Sequence, residues 1–108
     1  MRSNYFRNTA QVLFMKEIIY SSHLIFRLKL REIPYDLPKI ILLESNEHYF
    51  DKQTKKRIAI KSVDFKNELR DMAIIYNETE NQIILITIHP LKKYQKFSRI
   101  NSGRWQKL

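Results

Sequence analysis

The pattern of apolar and polar positions in the first third of the chain predicts a short helix. Leu24 and Leu28 recur at helical spacing behind Ser21 or Ser22, either of which suits a helix N-cap. The apolar stripe stops near Arg31, just before the "EIP" that breaks the pattern. The first predicted helix therefore begins after the serines and ends near Arg31.

A second helix is predicted directly after that break. Asp36 stands at the expected N-cap and Pro38 in the first turn, where a missing backbone N–H has no cost. The apolar residues that we expect to face the core are Ile40, Ile41 and Leu43. Two helices thus come first.

After Asn46 the period changes to that of strands. Short runs rich in branched and aromatic residues alternate with polar turn segments, which is typical of antiparallel hairpins. The predicted strands are "EHYFD" (47–51), "RIAIKSV" (57–63), "ELRDMAIIYN" (68–77) and "NQIILITIH" (81–89). We expect an α+β fold, with two N-terminal helices packed on a four-stranded antiparallel sheet. "KEIIYS" (16–21) is interpreted as a short extended piece, and residues 91–108 as an irregular tail with short helical and strand-like parts.

The length of 108 residues predicts one domain with one modest core. We interpret residues 15–108 as that domain and residues 1–14 as an N-terminal extension to which no function is assigned, since Met15 is itself a plausible start. Ile41, Ile75 and Leu85 are expected to be buried. The pattern leaves open whether the domain forms a homo-oligomer.

The charge of the chain favours a polyanionic partner. The net charge is +9, and residues 55–108 carry most of it, with 12 basic and 5 acidic side chains. RNA, DNA, anionic lipid and an acidic protein all fit such a field. The apolar run at 83–88 is too short to span a bilayer, and the N-terminus lacks a signal-peptide pattern. We therefore expect a cytoplasmic protein without a membrane partner.

Three groups of residues could bind or cleave a phosphodiester chain. His23, Arg27 and Arg31 follow one another at helical spacing on the first helix. A solvated helix face, with ion pairs to Glu32 or Glu47, explains this spacing equally well.

The second group lies on the first two predicted strands. Arg57 and Lys61 alternate with Ile58 and Ile60, so they should project from the sheet face opposite the helices, with His48 on the neighbouring strand. Such a face suits an extended RNA strand, although exposed sheet faces are usually charged in any case.

The third group occupies the basic stretch "TIHPLKKYQKFSRINSGRW" from Thr87 to Trp105. His89 ends the last apolar strand, directly before a proline that stops the ladder. A side chain with an ordinary pKa of about 6.5 suits proton transfer near neutral pH, although a lone histidine is more often structural. The cations that follow it are Lys92, Lys93, Lys96, Arg99 and Arg104.

RNA can be cleaved with few protein groups, because the ribose 2′-OH is an internal nucleophile. A base, an acid and cations around the phosphate are enough. The acidic residues are scattered, no zinc-binding spacing is present, and a single glycine cannot form a phosphate-binding loop. We therefore expect no metal site and no cofactor.

Several of these motifs together resemble a known group of proteins. "SSHLIFRLKLREIP", "HYFD", "AIIY", "ITIHP" and "RINSGRW" resemble a family of unknown function from prokaryotic mobile-element and toxin–antitoxin neighbourhoods, similar in layout to RelE-like toxins of the barnase, EndoU, colicin and RelE group. The resemblance covers residues 16–106. It implies a ribonuclease fold and a small acidic antitoxin as partner. His23, Arg27 and Arg31 match the helix motif, and the residues that match the C-terminal motif are His89, Arg99, Ser102 and Arg104.

The departures from the RelE pattern favour a free ribonuclease over a ribosome-dependent one, because Trp105 is the last aromatic residue and no tyrosine follows Tyr94. We predict a metal-independent endoribonuclease with His23 and His89 as acid and base in either order. Arg27, Arg99 and Arg104 are the predicted catalytic cations. The predicted RNA-binding residues are Arg31, His48, Arg57, Lys61, Lys92, Lys93, Lys96, Ser102 and Trp105. The alternative is a nucleic-acid-binding protein or mobile-element regulator without catalysis.

Overall fold

The structure, a computed structural model, describes residues 16–108, so the proposed extension at 1–14 lies outside the described residues. The helices and strands are β1 (Glu17–Tyr20), α1 (Ser22–Leu30), α2 (Leu37–Glu44), β2 (Glu47–Asp51), β3 (Lys56–Phe65), β4 (Glu68–Glu78), β5 (Gln82–Pro90), α3 (Gln95–Asn101) and β6 (Trp105–Lys107). No helix within residues 16–108 has the length and apolarity needed to cross a membrane.

The sheet has more strands than the four that the sequence predicted. Within residues 16–108 the protein is a mixed α+β fold with three helices and a six-stranded sheet in the order β1-β5-β4-β3-β2-β6. The four predicted strands form its antiparallel centre, while β1 pairs with β5 in parallel and β6 pairs with β2 in antiparallel. The expected RelE-like layout of two helices on four strands is therefore wrong. Strands of four and three residues carry too little pattern to reveal partners that lie far away in sequence.

Ser21 fixes the start of α1 against β5. Its hydroxyl accepts a hydrogen bond from the backbone N–H of Leu24 at 3.0 Å, as an N-cap does. The same hydroxyl donates to the carbonyl of Ile86 at 2.8 Å, and the Ser21 N–H donates to the carbonyl of Leu85 at 2.9 Å. Within residues 16–108, β1 pairs with only the Gln82–Leu85 part of β5, and the last part of β5 lies beside α1.

The sheet buries apolar side chains on both faces. On the α1/α2 face, the main buried residues are Leu24, Leu28, Ile33, Ile41, Leu42, Ala59, Met72, Ile74, Tyr76, Ile83, Leu85 and Ile88. On the opposite face, here called the α3 face, they are Tyr49, Ile58, Ile60, Ala73, Leu91 and Trp105. Ile41 and Leu85 are fully buried as predicted, whereas Ile75 is only partly buried at the edge of the second core. The predicted tail thus provides the cover of a second sheet face.

Candidate functional site

A cavity of about 350 Å³ opens between the α3 face of the sheet and α3, and is called here the His89 cavity. Its lining residues are Asp51, Thr54, Lys56, Ile58, Ile75, His89, Gln95, Arg99, Arg104 and Trp105. Four predicted site residues therefore meet in one place, namely His89, Arg99, Arg104 and Trp105.

His89 reaches the cavity because of its register in the sheet. It lies opposite Ala73 and on the same face as Ile75, two residues away on β4. Its side chain is half-buried. Burial lowers the pKa of His89 below the ordinary value of 6.5, and the positive charges of Arg27 and Arg31 lower it further. The imidazole is therefore neutral at neutral pH and can accept a proton.

The two arginines whose positive charges help to lower the pKa of His89, Arg27 and Arg31, both belong to the α1 segment. Arg27 is half-buried, and within residues 16–108 its Nε has no hydrogen-bond partner although the atom is buried. Arg31 is exposed and forms the C-cap of the helix. Neither arginine lines the His89 cavity, so both act on His89 through their charge.

Arg104 is engaged with a carboxylate. Its Nε and Nη2 donate to Oδ1 and Oδ2 of Asp51 at 2.9 and 3.0 Å. Burial by itself would raise the pKa of Asp51, but the hydrogen bonds from Arg104 and from the backbone N–H groups of Gln53 and Thr54 lower it to about 2. Asp51 therefore stays ionised and holds Arg104, which is thereby less available to a phosphate.

Arg99 and Lys56 remain as available cations of the cavity. Within residues 16–108, neither has a carboxylate at ion-pairing distance. Ser102 is exposed and supports the turn after α3: its hydroxyl donates to the carbonyl of Arg99 at 3.1 Å and accepts from the N–H of Arg104 at 3.3 Å. Ser102 therefore holds the backbone of the turn between these two arginines.

Trp105 cannot stack on a base in this structure. Its side chain is only 5% exposed and stacks on Tyr49, with ring centroids 5.8 Å apart and an angle of 30° between the rings. Its indole N–H points to Oδ2 of Asp51 at 3.4 Å. Trp105 begins the edge strand β6 and packs inward, because the C-terminal segment covers the second core of the sheet.

His48 is a core residue, which does not fit its predicted contact with RNA. It lies opposite Ala59 on the α1/α2 face, is 5% exposed, and its Nδ1 is 2.7 Å from Oη of Tyr76. Burial lowers the pKa of His48. Strand alternation shows which side chains share a face with His48, but it does not show that helices cover that face.

Arg57 and Lys61 also lie on the face that the helices cover. They share that face with Ala59, which is buried in the α1/α2 core. Arg57 forms an ion pair with Glu78 at 3.4 Å, and Lys61 with Glu44 of α2 at 3.8 Å. The expected cationic face opposite the helices is therefore wrong, because the alternate isoleucines pack against the α3 side instead.

His23 is exposed on the first turn of α1 and does not line the His89 cavity. The structure therefore does not bring the two predicted acid–base histidines together in that cavity.

The three lysines of the basic stretch line a different depression, called here the Tyr94 groove. It has a volume of about 680 Å³ and lies on the other side of α3. Its lining residues are Ser62, Leu69, Arg70, Asp71, Leu91, Lys92, Lys93, Tyr94, Lys96 and Phe97. Lys96 is paired with Glu47, with a shortest N–O distance of 2.9 Å, whereas Lys92 and Lys93 are exposed.

Sequence reasoning missed Lys56 and Asp51 as members of the cavity. They face each other across the turn between β2 and β3, and the pairing of Asp51 with Arg104 spans 53 positions. The aspartate at the end of "EHYFD" was a visible turn signal, but its distant partner had none. Tyr94 and Phe97 were also missed, although two aromatic residues three positions apart in a basic stretch are a visible pattern.

Comparisons with protein-family models, curated proteins and solved structures find no match to this chain. The resemblance to toxin–antitoxin proteins stays a prediction. Within residues 16–108, no three His, Asp or Glu side chains are grouped so that they could hold a metal ion.

Proposed function

We propose that this protein binds RNA at the His89 cavity and cleaves it without a metal, as an endoribonuclease of toxin–antitoxin type. The observation that supports the proposal is that the half-buried His89 lines one cavity with Arg99 and Lys56, while burial and the charges of Arg27 and Arg31 lower its pKa. A neutral imidazole among fixed positive charges suits proton abstraction next to a phosphate.

The proposed reaction needs one base and stabilisation of the phosphate. A ring nitrogen of His89 takes the proton of the ribose 2′-OH while its oxygen bonds to phosphorus. The bond from phosphorus to the 5′-oxygen breaks, and that oxygen takes a proton from water. The hydroxide so formed takes the proton back from the imidazolium, which leaves a 2′,3′-cyclic phosphate and a 5′-OH.

The cations of the cavity stabilise the charge that grows on the phosphate oxygens. Arg99 and Lys56 are the groups that can approach it, whereas Arg104 is held by Asp51 and acts by shaping the wall. Water protonates the leaving group in this scheme, because Asp51 stays ionised and His23 does not line the cavity. The scheme thus replaces the histidine pair expected from the sequence with a single base.

The test is cleavage of a labelled single-stranded RNA by protein treated with EDTA. We expect discrete fragments that end in 2′,3′-cyclic phosphate, and no cleavage of the same sequence made entirely of DNA. Fragments that appear only after a divalent ion is added would contradict the proposed chemistry.

A second candidate is a nucleic-acid-binding protein or mobile-element regulator without catalysis. It is favoured because, within residues 16–108, His89 has no second histidine beside it in the lining of the cavity. In the same assay this candidate predicts a salt-sensitive mobility shift with intact RNA.

The proposed partners and location follow from the charge. A net charge of +9 suits an acidic protein that covers the basic surface, and a small antitoxin is the partner that a toxin requires. We place the protein in the cytoplasm, where its RNA substrate is found. Suppression of cleavage by an acidic protein encoded beside this chain would support this extension, and unchanged cleavage in a stable complex would contradict it.

A further inference from the structure

Two aromatic side chains next to the proposed cleavage site are turned toward solvent. Tyr94 is 72% exposed and Phe97 is 64% exposed, and both line the Tyr94 groove. Trp105, in contrast, is committed to the core. Of these three aromatic residues, Tyr94 and Phe97 are therefore the ones whose rings a ligand can reach.

Tyr94, whose ring is exposed, has a strained backbone conformation. Tyr94 has φ 66°, in the left-handed region that bulky residues seldom adopt. The turn is held on both sides, because the N–H of Lys92 donates to Oε1 of Gln95 at 2.9 Å and the N–H of Ser98 donates to the carbonyl of Tyr94 at 2.9 Å. An exposed ring on a strained backbone contributes little to folding, which suggests a role in binding.

Cations surround these rings. Lys92 and Lys93 are exposed, and within residues 16–108 neither forms an ion pair. The Nζ of Lys93 lies 5.2 Å from the centre of the Tyr94 ring. Proteins that bind single strands combine aromatic surfaces for the bases with cations that follow the phosphates.

We propose that the Tyr94 groove is a binding subsite for single-stranded nucleic acid, in which Tyr94 and Phe97 stack on unpaired bases and Lys92 and Lys93 contact phosphates. The inference rests on the proposed function, which it deepens by naming unpaired RNA as the substrate class. A duplex does not fit, because its bases are already stacked on one another.

The groove and the His89 cavity lie on the two sides of one short helix. Lys96 and Phe97 line the groove, while Gln95 and Arg99 of the same helix line the cavity. The width of a helix with its side chains is ~10 Å, so a short stretch of single strand that crosses α3 can occupy both. The groove would then hold bases beside the scissile phosphate.

The experiment measures binding of a fluorescent single-stranded oligothymidylate, which has no 2′-OH and stays intact. We expect Phe97→Ala and Tyr94→Asn each to weaken binding by about 10-fold or more, with an unchanged dependence on salt. Asparagine is chosen because it tolerates the left-handed backbone. Lys93→Ala should instead lower the salt slope by about 0.7, the change expected for one lost phosphate contact on a single strand.

The matched control is Phe26→Ala, because Phe26 is 63% exposed on α1 and lies outside the groove. It should bind like the unmodified protein. An abasic chain with the same number of phosphates should bind the unmodified protein and Phe97→Ala equally. Equal loss for Phe26→Ala and Phe97→Ala, or unchanged affinity in both groove variants, would overturn the subsite.

The two proposals fail separately. Groove variants with normal affinity would remove the subsite, while cleavage that depends on His89 would still stand. Groove-dependent binding without any cleavage would keep the subsite and remove the ribonuclease. If the groove variants lose affinity for an acidic peptide and not for the oligothymidylate, the subsite belongs to a protein partner and the inference is wrong.

Discussion

Arg104 and Asp51 form a two-pronged ion pair that closes the C-terminal segment onto the strand turn between β2 and β3. The two N–O distances are 2.9 and 3.0 Å, and the backbone N–H of Lys52 returns a hydrogen bond to the carbonyl of Arg104 at 2.8 Å. Planar guanidinium and carboxylate groups match each other in this geometry. The pair holds one wall of the His89 cavity in place. Its removal should therefore lower the stability of the fold.

Removal of Arg104 should destabilise the fold. Arg104→Ala leaves the buried carboxylate of Asp51 without its charged donor, and we expect a loss of about 1.5–3 kcal/mol in the free energy of unfolding. Arg104→Lys keeps the positive charge but not the two parallel hydrogen bonds, so its free energy of unfolding should lie between those of Arg104→Ala and the unmodified protein. Denaturant titration measures both. Arg99→Ala is the matched control, since Arg99 has no ion pair within residues 16–108, and equal losses for the two alanine variants would contradict this role.

The same pair predicts acid sensitivity. The pKa of Asp51 falls from 3.8 to about 2 in the folded protein, because hydrogen bonds from Arg104 outweigh the effect of burial. A lowered carboxyl pKa stabilises the fold above the unfolded value, and this contribution is lost as the pH falls from about 4 toward 2. Unfolding followed between these values should show a smaller loss in Asp51→Asn than in the unmodified protein. An identical pH dependence of the two would contradict the pKa of Asp51.

A second loss of stability on acidification is expected in a higher pH range than that of Asp51, from the buried His48 and the half-buried His89. His48 and His89 have pKa values lowered by burial, so each is neutral in the folded state when its unfolded counterpart begins to take up a proton below about 6.5. Stability should therefore be complete above about pH 6.5 and should fall as the pH decreases below it. His48→Gln and His89→Gln should each remove part of this dependence, as measured by thermal unfolding at several pH values. A pH-independent unfolding temperature in this range would contradict both assignments.

Core substitutions separate the fully buried positions from the partly buried one. Ile41→Ala and Leu85→Ala should each cost ~2–5 kcal/mol, because both side chains are fully buried. Ile75→Ala should cost less than either, since Ile75 borders the His89 cavity and is only partly buried. Denaturant unfolding of the three variants checks the order. An equal cost at Ile75 would show that the second core extends further than described.

The sequence predicted the central elements well because their signals are local. Ser21 as a cap, Pro38 in a first turn and the alternation around Ile58 each act over a few residues, and each is found where it was expected. The edge strands could not be assigned, since pairing of β1 with β5 depends on residues about 65 positions away. The prediction that Arg57 lies on the face opposite the helices was also wrong. Strand alternation separates the two faces of a sheet, but it does not say which face the helices cover.

In the candidate site, too, some features follow from local sequence and others depend on distant residues. The positions of His89 and Arg99 in one cavity agree with the sequence hypothesis, which placed both in the basic stretch after the last long strand. The roles of Trp105 and Arg104 changed, because a core and an acidic partner on β2 take up both side chains. Long-range packing decides which side chains of the basic segment can contact a ligand, and the local spacing of residues in the sequence does not predict that packing.

The most direct test of the central claim is the rate of RNA cleavage by His89→Gln in EDTA, measured next to the unmodified protein. Removal of a general base should lower the rate by about 100-fold or more, while the affinity for the uncleavable all-DNA strand stays within about 2-fold. His23→Gln serves as the control and should keep the full rate, since His23 does not line the cavity. Cleavage by His89→Gln at the unmodified rate would contradict the assignment of the active site to this cavity.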